Sequence, residues 1–169
     1  MSDGARIVSF YEGRAPDDRG RSLEDVLDFN DHQLEHVHDF IQWLFPLCER
    51  SGANPGAPLL DGGAIAAFRT RPDLRAALRR SLDRMLAFYG FAWSGDRIER
   101  SPAFDARRQW LTPGNHNHLR LTRMLISLHT LGLKNEAQAL YRCLRETAEA
   151  SGGVSPVTLQ YWNAAAAEV

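Results

Sequence analysis

Between His38 and Pro46 the chain reads HDFIQWLFP, placing Phe40, Ile41, Trp43, Leu44 and Phe45 within six positions. Five large apolar side chains so close together leave no polar side to turn toward water, so other parts of the chain must cover them. Upstream, Asn30 or Asp31 can cap a helix, and Leu34, Val37, Ile41, Leu44 and Phe45 recur at helical spacing. The pattern predicts one helix running to about Phe45, where Pro46 disfavours continuation. On that helix Trp43 lies opposite Ile41, so its end is either covered on two sides or presents an aromatic patch.

The remaining signals are also mostly helical. Ser22 starts a short helix, with Asp25 three residues on and Leu23, Val26 and Leu27 as its apolar stripe. Residues 48–63 hold Gly, Pro, Asn and Ser in quantity and predict a loop, followed by a weakly marked helix from Ala64 to Arg69. Pro72 suits a first helical turn, and Leu74, Leu78, Ser81, Leu82, Met85 and Tyr89 then share a face until Gly90. Residues 91–100 alternate around Gly95-Asp96, which predicts a small hairpin arm. Asn115 or His116 opens a helix that stops at Gly132, and Asn135 with Gln138 caps another to about Ala150. Ser155 and Pro156 form an N-cap and N1 pair for a last helix through Ala167.

The helix after His116 carries Leu119, Leu121, Met124, Leu125, Ile126, Leu128 and Leu131 around most of its circumference. Such a helix belongs in the middle of a domain. Its one polar strip, Arg120, Arg123, Ser127 and Thr130, spans a sector of about 80°. Arginines in that setting need anionic or carbonyl partners, because an unpaired buried charge is very costly. The partner is expected to be protein, with a ligand as the alternative.

At 169 residues, 44% hydrophobic and 24% charged, the chain fits one soluble globular domain, 1–169, with residues 1–20 partly irregular. The expected fold is all-α, a compact bundle of about six or seven helices. A net charge of -1 speaks against nucleic acid as a partner. Cys48 and Cys143 form no metal motif or disulfide framework and read as small apolar packers. No signal peptide and no apolar run of about 20 residues are present, which points to a soluble protein of the reducing cytoplasm.

Candidate chemistry is sparse. His32-Gln33-Leu34-Glu35-His36 matches H-x-x-E-H, which on a helix would set His32 and His36 one turn apart with Glu35 as base. No third ligand motif accompanies it, so a metal-dependent hydrolase is kept only as an alternative, and no cofactor is implied. Glu35, His38 and Gln42 form a row at i, i+3 and i+7. The plain reading is a core histidine held by Glu35 or a carbonyl. The sharper one is a recognition groove walled by Trp43 and Tyr89. His116, Asn117 and His118 read as helix-capping residues, with an anion site as the alternative.

Several long motifs stand in a familiar order. They are Phe10-Tyr11; Glu35 with His38 through Pro46; Asn54, Ala57 and Pro58; Met85 with Phe88-Tyr89-Gly90; and His116-Asn117, Leu119-Arg120 and Thr122-Arg123, ending at Leu131-Gly132-Leu133. Together they resemble the conserved domain of the opioid growth factor receptor family, in its compact bacterial or fungal form, over almost the whole chain. Phe40 stands where tyrosine is common in that family. The resemblance implies a non-enzymatic, receptor-like domain that binds a peptide of the enkephalin type. A peptide or protein ligand is then expected against Glu35, His38, Gln42, Trp43, Tyr89, Arg120 and Arg123. A protein-interaction scaffold, able to dimerise through exposed aromatics, is the remaining alternative.

Overall fold

A computed structural model describes residues 1–167, which form nine α-helices, one 3-10 helix and a two-stranded antiparallel sheet. The fold is mostly helical, as expected, with more and shorter helices than the sequence pattern suggests. By its contacts the chain separates into two compact units, Met1–Ser81 and the residues from Leu82 onward.

In the first unit, α1 (Asp3–Tyr11) starts at Ser2, whose hydroxyl accepts the Ala5 N–H at 3.1 Å. This helix lies within the segment 1–20 that the sequence marks as partly irregular, and no helix or strand follows it until Leu23. Nine residues make a marginal helix alone, and α1 is stabilised by burying Ile7, Phe10 and Tyr11 while packing on α5 (Gly62–Thr70). Asp61 caps α5 through Ala64 N–H at 2.9 Å. The Tyr11 hydroxyl donates to the Leu44 carbonyl and lies 3.0 Å from Ser81 Oγ. Burial, only partly offset by the Ser81 hydrogen bond, pushes the phenol well above its ordinary range. Reciprocal capping boxes begin α2 (Leu23–Leu27, Ser22 with Asp25) and α3 (Asp31–His36, Asn30 with Gln33).

The helix predicted to run from Asn30 to Phe45 does not form as one piece. It stops at His36; Val37 is extended, and a four-residue helix α4 (Ile41–Leu44) begins after Phe40. The connection between the two helices, residues 37–40, carries Asp39, whose carboxylate is drawn into ion pairs with Arg19 and Arg21. Past the break every residue from Phe40 to Pro46 is buried. The run therefore does not expose an aromatic patch: Trp43 is 1% exposed and sits 5.1 Å, centroid to centroid, from Phe10.

Helix α6 (Pro72–Tyr89) gives the first unit its residues through Ser81 and the second its residues from Leu82. In the second unit, β1 (Phe91–Ser94) and β2 (Arg97–Arg100) pair in the register Phe91 to Arg100, leaving Gly95-Asp96 as a two-residue turn. Gly95 has φ +63°, the conformation its turn position demands. At Gly90, φ is +86° and an added Cβ would lie 2.8 Å from the Phe104 Cα, so both conformation and space call for glycine.

After a 3-10 helix (Asp105–Trp110) comes α7 (Asn117–Thr130), which packs against α8 (Lys134–Ser151) and α9 (Pro156–Ala167). Helix α7 is buried on most sides, as its sequence predicts, but Leu119 is 70% exposed. Helix α8 starts after Leu133 rather than at an Asn135 cap. Helix α9 begins as expected, with Ser155 Oγ accepting the Thr158 N–H at 3.2 Å. Cys143 is buried, and burial pushes its thiol up to about 12. Cys48 is exposed, against the expectation of a packed residue.

Candidate functional site

The expected site residues fall into two groups. Glu35, His38, Gln42 and Trp43 belong to the first unit, and Tyr89, Arg120 and Arg123 to the second. The helical row of Glu35, His38 and Gln42 is not formed, because the break places them in α3, in the connection and in α4. His38 is consequently exposed rather than a core histidine. Gln42 is buried, and its side-chain amide donates to the His38 carbonyl and to Ser51 Oγ, each at 3.3 Å. Ser51 Oγ in turn accepts the backbone N–H groups of Ala53 and Asn54. Gln42 therefore fixes the turn that carries Asn54, while its own Oε1 is buried without a hydrogen-bond partner.

Asn54 leads to the best-built concavity in the first unit. A cleft of about 150 Å³ is lined by Asp18, Arg19, Arg21, Asp39, Trp43 and Asn54, with Gly56. Of the expected site residues in this unit, Trp43 is the one that lines it. Its polar wall is a charge network the sequence reading did not anticipate. Arg19 Nε reaches Asp39 Oδ2 at 2.8 Å, and Arg21 Nη2 reaches Asp39 Oδ1 at 2.9 Å. Arg21 Nε donates to Asp17 Oδ2 at 2.7 Å. The fully buried Asp17 carboxylate also accepts the backbone N–H groups of Arg19 and Arg21, each at 2.9 Å. Burial alone would raise the Asp39 carboxyl, but Arg21 and Arg19 together outweigh it and hold the group below its usual range. Arg6 lies 5.3 Å over the Trp43 ring and pairs with Asp18.

A larger depression, about 440 Å³, runs over Gly4, Ala5, Val8 and Ala64 and is rimmed by Asp61, Glu12 and Arg14. It is open and floored by small side chains. Its charged rim is already committed: Asp61 to capping α5, and Glu12 to Arg14 and Arg71. The smaller cleft gathers more polar groups around an aromatic wall and is the better candidate.

In the second unit Tyr89 donates its hydroxyl to Asn117 Oδ1 at 3.1 Å, and Arg120 Nη1 lies 3.5 Å from the same oxygen. Arg120 is buried and Arg123 half-buried, and burial lowers the Arg123 pKa. Beside them is an aromatic cluster around His118, a residue expected to cap the helix. His118 is instead buried, its ring edge-on to Trp110 and Trp162, with Nε2 2.7 Å from the Trp110 carbonyl. Trp162 donates its indole N–H to the His118 carbonyl at 3.4 Å, and Trp110 donates to the Tyr89 carbonyl at 3.1 Å. Burial lowers the His118 pKa, so its ring favours the neutral form, with the proton on Nε2.

His32 and His36 stack 4.3 Å apart on the exposed side of α3. Among the described residues no group of three or more His, Cys, Asp or Glu side chains is placed to hold a metal. No helix among them is long and apolar enough to cross a membrane.

The opioid growth factor receptor conserved region matches residues 6–166. The chain belongs to this family. Among relatives, the opioid growth factor receptor of Rattus norvegicus is 37% identical over 147 residues, 82% of this chain and 25% of that protein. That of Homo sapiens is 37% identical over 134 residues, 75% and 20% of the two chains. Opioid growth factor receptor-like protein 1 of Xenopus tropicalis is 36% identical over 134 residues, 76% and 26%. The chain thus spans about a quarter of the length of the curated relatives it matches. No solved structure matches it.

Proposed function

We propose that this family member is a non-catalytic recognition module that holds a peptide or protein ligand at the Trp43 cleft of its first unit. The observation that carries the reading is the convergence of Arg19, Arg21, Asp39 and Asn54 on a cleft walled by an otherwise buried tryptophan. The family relationship supports it, since the relatives are named as receptors of an opioid growth factor. A cleft of about 150 Å³ is smaller than the roughly 300 Å³ at which pockets for whole small ligands begin. It suits a single side chain or chain end, with the rest of a peptide lying outside. Amide-resolved NMR of the whole chain against a mixture of random short peptides tests this. Shifts centred on the Trp43 indole, Asn54 and Gly56 are expected, and shifts confined to other regions would defeat the proposal.

A second reading, an interaction scaffold, is favoured by one observation. Helix α9 has no charged residue from Pro156 to Ala167, yet Val157 and Tyr161, one turn apart, are each 57% exposed. An uncharged apolar face meets a second copy of itself without repulsion. Light scattering over a dilution series is then expected to show a dimer that dissociates, and that Tyr161→Lys keeps monomeric. A constant monomer mass at every concentration removes this reading.

A further inference from the structure

We infer that the Trp43 cleft takes a carboxylate, an inference resting on the proposal that the cleft is the recognition site. The hydrogen-bonding groups around the cleft are unequally engaged within the protein. On the acceptor side, both Asp39 oxygens hold guanidinium N–H groups, Asp17 accepts three N–H groups beneath them, and Asp18 takes Arg6 through Oδ1, which leaves Asp18 Oδ2 and the Asn54 side-chain carbonyl as the unengaged acceptors. The donors are in excess. Arg19 uses only Nε within the protein, which leaves both terminal nitrogens on a side chain that is 71% exposed. Arg21 directs Nε and Nη2 inward and leaves Nη1 unengaged. Among the described residues the Trp43 indole N–H and the Asn54 side-chain amide donate to no acceptor.

A group that satisfies these donors must bring acceptor oxygens. The outer edge of Arg19 presents two parallel N–H groups, a spacing that a planar carboxylate matches with two bonds. Asp39 keeps the two guanidinium groups in place, so their orientation does not have to be purchased when ligand binds. The carboxylate has two natural sources, the end of a peptide chain or an acidic side chain, and both present the same two oxygens.

The test uses the full chain and four small probes: N-acetylglycine, N-acetylglycinamide, N-acetylaspartic acid α-amide, whose β-carboxylate is free, and inorganic phosphate. Binding is followed through the Arg19 and Arg21 Nε–H signals and the Trp43 indole N–H. The expected result is that N-acetylglycine or the aspartic α-amide shifts all three, that N-acetylglycinamide does not, and that Arg19→Gln weakens binding at least tenfold. Because Arg19 is mostly exposed, that variant keeps its fold, which its unchanged amide spectrum would verify. Whichever carboxylate binds more tightly identifies the source. Equal binding of the uncharged amide, equal or tighter binding of phosphate, or unchanged affinity in Arg19→Gln each overturns the inference. If the peptide mixture perturbs Trp43 while neither carboxylate does, the inference fails and the recognition site stands. If nothing perturbs the cleft, both fail.

Discussion

Trp43→Ala is expected to destabilise the first unit by about 3–5 kcal/mol, the range for removing a large buried aromatic. Trp43 is 1% exposed, stacks obliquely on Phe10 and supports the Arg6 guanidinium. Its neighbours in α4 are pinned as well, since the Leu44 carbonyl takes the Tyr11 hydroxyl. A cavity there cannot collapse without moving α1. Total stabilities of 5–15 kcal/mol are usual for domains, so the variant loses a large share of what holds it folded. Urea unfolding of the whole chain, followed by circular dichroism, reads this as a lower midpoint. Trp43→Phe keeps most of the apolar volume and should lose much less. A Trp43→Ala midpoint equal to that of the parent protein would mean that the tryptophan is not packed as described.

Trp162→Ala is expected to have an effect of similar size, about 3–5 kcal/mol, but confined to the end of the second unit. Trp162 and Ala165 are the buried residues of α9, so one side chain supplies most of that helix's anchorage. Its loss also removes the indole N–H from the His118 carbonyl and opens one face of the His118 ring to water. Two measurements follow. Hydrogen exchange should show 156–167 losing protection while α8 keeps it. The His118 titration, held low by burial, should move up toward the ordinary value near 6.5. With a depressed folded value, His118 contributes stability above about pH 6.5 that is lost as pH falls through the folded value, and the variant should show less of that loss. Retained protection in α9 would place its anchor elsewhere.

How legible the fold was depends on the range over which each feature is determined. The Ser22-Asp25 capping box, the Ser155-Pro156 start and the Gly95-Asp96 turn are readable because each rests on groups within four residues of one another, although the same pattern at Asn135 and Gln138 does not form a cap. The break between α3 and α4 was not. Its apolar spacing continues smoothly through Val37, yet Val37 is extended, and the connection that follows holds Asp39 in ion pairs with Arg19 and Arg21, 20 and 18 residues away. The same distance hid the candidate site. Trp43 was visible as a large aromatic in an apolar run, but an ion-pair network leaves no period in the sequence. Helix α1 was missed because its stability comes from packing on α5, more than 50 residues later. His118 looked like a cap because nothing local reveals that Trp110 and Trp162 close over it.

The different settings of the two thiols have a practical use. Cys143 is enclosed and resists ionisation, whereas Cys48 stands in the open five positions beyond Trp43. A maleimide dye at neutral pH will therefore attach at Cys48 with strong preference, without any engineered residue. The natural chain thus carries its own attachment point for a fluorescent reporter, in the loop that follows the tryptophan.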